Sequence, residues 1–422
     1  MIRRLQVLNY RCLRYVDIAL DRFHVLAGAT ASGRSTFLDV VAFLGDLIRD
    51  GPEAAVRKRS GDFRDLVWGR PADDLKFEIA AEFDVPVDVR QQLGGESGFR
   101  RFRYEIALTE AGGGPAIESE RGILMPEATG TASPQESLFA DPPPPPASVP
   151  SGGHRRGSMT VFSKHAPGND SFNVESRAGG SKAWAVRIAL GPRRSTLANL
   201  PDTPGSFPVA TYIRDLLIGH VQSMAFKGAD LRRPSAPGAR ADSLDSDGSN
   251  LPRVLHRFRK RDAAGYREWL SRLCHALPHI EDMNVAIRES DRHAILTARD
   301  AAGTELPSNV VSTGALRLAA FTLLPHLPAT RGIRLIPFPE SGLDAASLKV
   351  AYQALSRPAN AQVLMATSSP ALLGLANPEE ILCCSRNAEG KVTVIAGNAH
   401  PEFEKWQGAR DNVRLFAPQL LE

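Results

Sequence analysis

The chain has no run of about eighteen uncharged apolar residues, the length a helix needs to cross a bilayer, so no membrane span is predicted. Its first residues enter an alternating strand pattern directly, without the charged and apolar order of a leader, which predicts a cytoplasmic protein. Cysteine is scarce. Cys12, Cys274, Cys383 and Cys384 have no metal-ligand spacing, and the adjacent pair must point to opposite faces of any strand, which leaves buried free thiols as the expectation. A strong charge of one sign is also missing: a net charge of +4 does not by itself call for nucleic acid. The densest basic run, "RFRKR" at Arg257 to Arg261, reads first as a solvated helix face.

What is present is a globular composition, with 422 residues and 43% hydrophobic content, enough for one large domain or two to three ordinary ones. Residues 1–108 read as strands and one helix, with "IRRLQVLNY", "YVDIAL" and "KFEIAAEFDV" alternating and "FHVLA" uniformly apolar. Residues 109–180 turn to Gly, Ser and Pro around "DPPPPPASVPSGGHRRG", a composition that cannot bury a core and predicts a disordered insertion. Residues 181–300 form a mixed middle region. Its helix "NLPRVLHRF" has Asn250 placed to cap the start and Pro252 in the first turn, and a second helix carries Tyr266, Trp269, Leu270, Leu273 and Leu277 on one stripe. In residues 301–422 helix and strand alternate, "ALRLAAFTLL", "IRLIPF", "AASLKVAYQAL", "QVLMATS", "EILCCS", which predicts parallel strands with crossover helices and an α/β fold.

The segment "GATASGRSTF" follows the strand "FHVLA" and precedes a helix whose buried stripe of Phe37, Leu38, Val40, Val41, Leu44, Leu47 and Ile48 ends at Gly51. Strand, Gly-rich loop and helix is the setting of a phosphate loop, in which backbone N–H groups and the positive end of the helix hold phosphate oxygens and the first hydroxyl ligates Mg²⁺. Gly28, Ala29, Thr30, Ala31, Ser32, Gly33, Arg34, Ser35 and Thr36 are the candidate nucleotide residues, with Ser35 at the Mg²⁺ position. A chance glycine-rich turn is the plain alternative.

Five further segments keep this loop company in a fixed order. "LQVLNYRCLRYVDIAL" contains Asn9, Tyr10 and Arg11; "LRRPS" is followed by "LDSDGSNLPRVLHRF"; "VSTGALRLAAFTLLP" contains Ser312 and Gly314; "LIPFPESGLDA" and "VLMATSSPALL" come last. In this order and spacing the chain resembles the RecF/SMC-like branch of ABC-type ATPases, in particular bacterial proteins with an AAA-like ATPase core related to the OLD-family ATPase region. The resemblance implies a P-loop NTPase fold of ABC/SMC-head type: a mixed sheet with flanking helices, an antiparallel β region and a helical subdomain. It implies ATP and Mg²⁺ as cofactors, Arg11 close to the nucleotide, Ser312 and Gly314 acting in trans across a homodimer or a heterodimer with an intact ATPase, and Ser368 at the switch position.

The departures carry equal information. Arg34 stands where the loop has lysine, and its planar fork does not replace a compact ammonium. Ala31 stands where a glycine would permit a special backbone angle. Pro337 and Phe338 replace the two acids that would support Mg²⁺ and polarise water, and Ser368 replaces the switch histidine. The reading favoured is an ATP-binding protein with weak or absent hydrolysis that regulates a partner, such as a nuclease, in DNA repair or phage defence. Two alternatives remain open. One is an active ATPase using Glu340 as its base, set against a structural carboxylate. The other is a scaffold that binds DNA or a nuclease without nucleotide, through Arg232, Arg233 and the Arg257 to Arg261 run.

Overall fold

The computed structural model describes residues 1–94, 98–126, 145–150, 157–165, 168–176, 185–328, 331–357, 360–387 and 390–417. β1 (Ile2–Tyr10), β2 (Leu13–Ala19) and β3 (Phe23–Ala27) lead into α1 (Arg34–Arg57), then β4 (Lys76–Asp84), α2 (Val87–Gln91), β5 (Phe99–Ala111) and β6 (Gly114–Pro126). β7 (Met159–His165), β8 (Asp170–Asn173) and β9 (Ala185–Ile188) precede α3 (Pro208–Gly219), β10 (Val221–Ser223), α4 (Gly228–Leu231), α5 (Leu251–Arg261) and α6 (Ala263–Ala276). β11 (Ile280–Ile287), β12 (Ala294–Asp300), β13 (Glu305–Pro307), α7 (Thr313–Leu323), β14 (Gly332–Pro337) and α8 (Ala345–Leu355) follow. β15 (Ala361–Thr367), α9 (Pro370–Leu373), β16 (Ile381–Arg386), β17 (Val392–Ala396) and α10 (Asn412–Phe416) complete the order. No helix among the described residues is long and apolar enough to cross a membrane.

The chain divides into two compact units: Met1–Asp21 with Ala29–Val221 and Leu382–Glu404, and Arg22–Gly28 with Gln222–Ile381 and Lys405–Glu422. Both units are discontinuous in the chain, and each takes segments from residues 1–108 and from residues 301–422.

In the first unit an antiparallel sheet runs in the order β2-β1-β4-β5-β6-β7-β8-β9. Against it packs an aromatic cluster in which the Tyr10 and Phe43 rings lie 5.5 Å apart, Tyr10 and Phe77 5.1 Å, and Phe43 and Phe77 5.5 Å. Buried charges line the strands as well. Arg103 donates to Glu105 at 2.6 Å and Glu82 at 3.0 Å, and Glu78 accepts from the Val149 amide at 2.6 Å. Glu120 accepts from Ser195 Oγ at 2.7 Å and the Thr196 amide at 2.7 Å, and Lys164 pairs with Asp170 at 2.7 Å. Each buried charge is thus partnered, as burial requires.

The insertion reading needs correction here. β6, β7 and β8 fall inside residues 109–180 and are hydrogen-bonded strands. Gly112 and Gly113 both take positive φ, 60° and 78°, which makes them a two-residue hairpin turn rather than a sign of disorder. The proline run at the centre of the expected insertion lies outside the described residues.

In the second unit β14, β15 and β3 form a parallel ladder, with Leu335 opposite Leu364 and Leu364 opposite His24. This bears out the crossover pattern read from residues 301–422. β11, β12 and β13 form a separate antiparallel sheet. α5 and α6 pack through Phe258, Tyr266 and Trp269, and Trp269 Nε1 donates to Thr322 Oγ1 of α7 at 3.0 Å. Asn250 does stand at the start of α5 but does not cap it. Its side chain is buried and ties the preceding loop, accepting from the Asp245 amide at 2.8 Å and donating to the Arg240 and Ser243 carbonyls at 2.9 and 2.8 Å. Three loop hydrogen bonds outweigh the single cap bond that its residue type suggested.

Candidate functional site

The residues expected to form one site fall in both units. Arg11 and Ala29 to Thr36 belong to the first; Gly28, Ser312, Gly314, Glu340 and Ser368 belong to the second.

In the first unit the loop runs into α1 through Gly33, whose backbone is left-handed at φ 94°, ψ 0°. A Cβ at Gly33 would lie 2.7 Å from Val392 Cγ1 and 3.4 Å from Cys12 Sγ, so the position is closed to any larger residue. Ala31 takes φ 65°, the left-handed angle that its side chain was expected to deny. Alanine is the smallest side chain that can do so, it is exposed here, and the strain costs about 1–2 kcal/mol.

The first turn of α1 contains no acidic residue, and no side chain caps it. The leading N–H groups of a helix have no acceptor within the helix, and this end carries partial positive charge. Ser32 is buried, and its Oγ has no hydrogen-bond partner. Ser35 is exposed at the start of the helix, and Thr36 Oγ1 accepts a hydrogen bond from Cys12 Sγ at 3.2 Å.

Arg34 is only 5% exposed, and Nη2 donates to the Ala29 carbonyl at 3.2 Å, which folds the side chain back over its own loop. The guanidinium also acts on Cys384. Burial pushes that thiol up to about 12, and the positive charge of Arg34 opposes the rise. Val392, Cys12 and Cys384 were not singled out as loop neighbours from the sequence. No local signal could reveal them, because each reaches the loop from a strand or turn distant in the chain.

Arg11 has φ 52°, and its guanidinium pairs with Asp39 of α1 at 3.2 Å. Asp39 also accepts from Tyr10 Oη at 2.7 Å and pairs with Arg59 at 2.8 Å. The Asn-Tyr-Arg turn is thereby fixed to the first helix by one carboxylate.

In the second unit, Ser312 caps α7, its Oγ accepting from the Ala315 amide at 3.1 Å. Gly314 is pressed against the Gly342 carbonyl, which a Cβ would strike. Phe338, which follows the end of β14, is exposed and holds φ 51°, a strained angle for an aromatic residue. Its backbone is clamped on both sides: the amide donates to the Ala366 carbonyl at 2.8 Å, and the carbonyl accepts from Arg317 Nη2 at 3.0 Å.

Glu340 lies in a turn, its carbonyl accepting from the Leu343 amide at 3.0 Å. Its Oε1 accepts from the Ser368 amide at 2.8 Å and lies 3.3 Å from Ser368 Oγ, while Oε2 is buried without a hydrogen-bond partner. Two expected site residues are therefore brought together. Nearby, burial lowers the proton affinity of Arg317, and the charge of Glu340 opposes that shift.

No family model matches the chain, and no curated protein does. Among solved structures it is similar to an SMC head bound to the C-terminal winged-helix domain of ScpA, with 14% identity over 93% of this chain and 97% of that one, at a TM-score of 0.50. An SMC head with an extended coiled coil bound to the C-terminal domain of ScpA, from Pyrococcus furiosus, gives 12% identity, coverage of 93% and 95%, and a TM-score of 0.44. The SMC head domain from Thermotoga maritima gives 9% identity, coverage of 94% and 98%, and 0.37. The first of these gives the fold, that of an SMC head, a P-loop ATPase fold of α/β class.

Proposed function

We propose that this chain is an ATP-binding protein of the RecF/SMC-like class with weak or absent hydrolysis, whose nucleotide-dependent dimerisation regulates a partner in DNA repair or phage defence. The observation that carries the reading is the start of α1. An uncapped helix end behind a left-handed Gly33 presents backbone N–H groups to a phosphate chain, and the buried Ser32 hydroxyl has no hydrogen-bond partner without one.

The residues fit ATP better than they fit Mg²⁺. ATP would bring the phosphate charge that the loop lacks, held by the main chain from Ala29 to Thr36 and by Ser32. For Mg²⁺ the donor set is one exposed hydroxyl, Ser35, and no group of three or more His, Cys, Asp and Glu side chains among the described residues could hold a metal. Pro337 and Phe338 supply no carboxylate. Losing one preorganised catalytic group costs about 10²–10⁴ in rate, so the loss of two supports binding with little turnover.

Ser312 is exposed, and in this reading it and Gly314 face the nucleotide of a second subunit, either another copy or an intact ATPase. A nuclease is the partner class that the resemblance favours. Calorimetric titration with ATP, run beside a phosphate-release assay, tests the reading: saturable binding with release at the buffer rate is expected, and brisk Mg²⁺-dependent release overturns it. A second reading, hydrolysis through Glu340, is favoured by the unpartnered Glu340 Oε2. Glu340→Gln keeps an oxygen for the Ser368 amide, so turnover abolished with ATP binding retained selects that second reading.

A further inference from the structure

The basic run at the end of α5 does not act as one solvated face. Arg261 turns away, with Nη2 donating to the His326 carbonyl at 2.9 Å and its guanidinium over the Phe258 ring, and Arg257 pairs with Asp242 at 3.5 Å. Arg232 and Arg233, grouped with this run on sequence grounds, are also committed, to the Val311 carbonyl at 3.0 Å and to Asp230 at 3.4 Å. What remains is a half-open cleft of about 340 Å³ between α5, α6 and β11, lined by Arg259, Lys260, His256 and Asn284 over an apolar floor that includes Leu255 and Val285.

Arg259 is held as a plane. Its guanidinium lies over the Tyr266 ring, 5.6 Å from the centroid, and donates to Asn284 Oδ1. Arg259 is exposed, and a guanidinium lodged over an aromatic ring offers a planar cation on which a base can stack. Lys260 is exposed and has no anionic partner among the described residues. The cations converge on one spot: burial, then repulsion from Lys260, Arg253 and Arg259, holds the His256 imidazole below its ordinary value. The opposing acid near the floor is Asp282, which acts on Tyr266 and is itself engaged by the Met283 amide at 2.8 Å.

A stacking plane, a free ammonium and an apolar floor fit a base joined to a phosphodiester better than a bare anion. The cleft lies at the small end of ligand sites, which span roughly 300–1,000 Å³, so it admits one unstacked nucleotide and no duplex. We propose that the α5–α6–β11 cleft binds single-stranded nucleic acid, seating one nucleotide against Arg259 with its phosphate on Lys260.

The test is fluorescence anisotropy of the full chain with a labelled single-stranded oligonucleotide, without ATP, so that the outcome is separate from that of the nucleotide reading. Arg259→Ala with Lys260→Ala should weaken binding about 10- to 100-fold and flatten the slope of log K against log salt by about 0.7, the share of the one phosphate held by Lys260. Arg259→Lys should weaken binding through lost stacking while leaving the salt slope intact. Arg257→Ala should change affinity less than about threefold, and circular dichroism should show all four proteins folded. A duplex of the same sequence binding as tightly, a mononucleotide or inorganic phosphate displacing the oligonucleotide at equal phosphate concentration, or unchanged affinity in the Arg259→Ala, Lys260→Ala protein would each overturn the proposal.

Discussion

Gly33→Ala is the perturbation for which the structure gives the clearest magnitude. The new Cβ must accept a left-handed backbone, at about 1–2 kcal/mol. It must also enter space 2.7 Å from Val392 Cγ1 and 3.3 Å from Cγ2, and overpacking of this kind costs about 1–3 kcal/mol. Together the substitution should destabilise the first unit by about 2–5 kcal/mol. The two costs can be separated. Val392 is buried, so Val392→Ala by itself costs about 1–3 kcal/mol through lost packing. In the Gly33→Ala background the same change also relieves the clash, so the pair should fall short of additivity by at least about 1 kcal/mol, leaving only the backbone strain. Urea unfolding of the four proteins, followed by circular dichroism, measures the cycle. Strict additivity, or a Gly33→Ala protein within about 0.5 kcal/mol of the parent, would show that the contact between the loop and β17 is not as described.

Two further outcomes follow from buried charges in the same unit. Glu175 accepts from the Val209 and Ala210 amides at 2.6 and 2.9 Å, yet burial pushes its carboxyl up to about 8 against those two bonds. The folded state then binds the proton more tightly than the unfolded chain, whose carboxyl titrates near 4.5. Stability should therefore be fullest below pH 4.5 and fall as pH rises toward 8, and Glu175→Gln should flatten that slope in melts across the range. Arg103→Met leaves Glu82 and Glu105 buried without their shared partner, and the expected loss is about 3–5 kcal/mol. Arg70→Ala, which breaks the exposed pair with Asp65, should cost no more than about 1 kcal/mol in the same denaturation assay; equal losses would refute the role given to burial.

Much of the candidate site was legible because its parts are local. A strand, a glycine-rich loop and a helix are consecutive in the chain, so the setting of Gly28 to Thr36 could be read directly. Ser312 lies three residues from the amide whose hydrogen bond it accepts, so that contact is local as well. Glu340 was harder. Its carboxylate is engaged by Ser368, 28 residues later, and the turn that aims it there depends on a positive φ at Phe338, a residue type that gives no warning of one. Asn250 failed for a related reason: its residue type fits a cap, and three loop bonds took the side chain instead.

By itself the sequence determined the α/β class, the parallel-strand pattern of the closing third, the position of the glycine-rich loop between a strand and a helix, and the absence of acids at Pro337 and Phe338. These follow from periodicity, turn residues and side-chain chemistry, which act over a few residues. Only the tertiary structure decided that Val392 and Cys12 close around Gly33, that Arg34 folds back on Ala29, that charges in β4, β5 and β6 are buried in pairs, and that Arg259 and Lys260 part from their neighbours to line a cleft. Each of those depends on how side chains meet in three dimensions, whether across most of the chain, as Val392 and Gly33 do, or within one loop, as Arg34 and Ala29 do, and such contacts leave no periodic trace in a single chain.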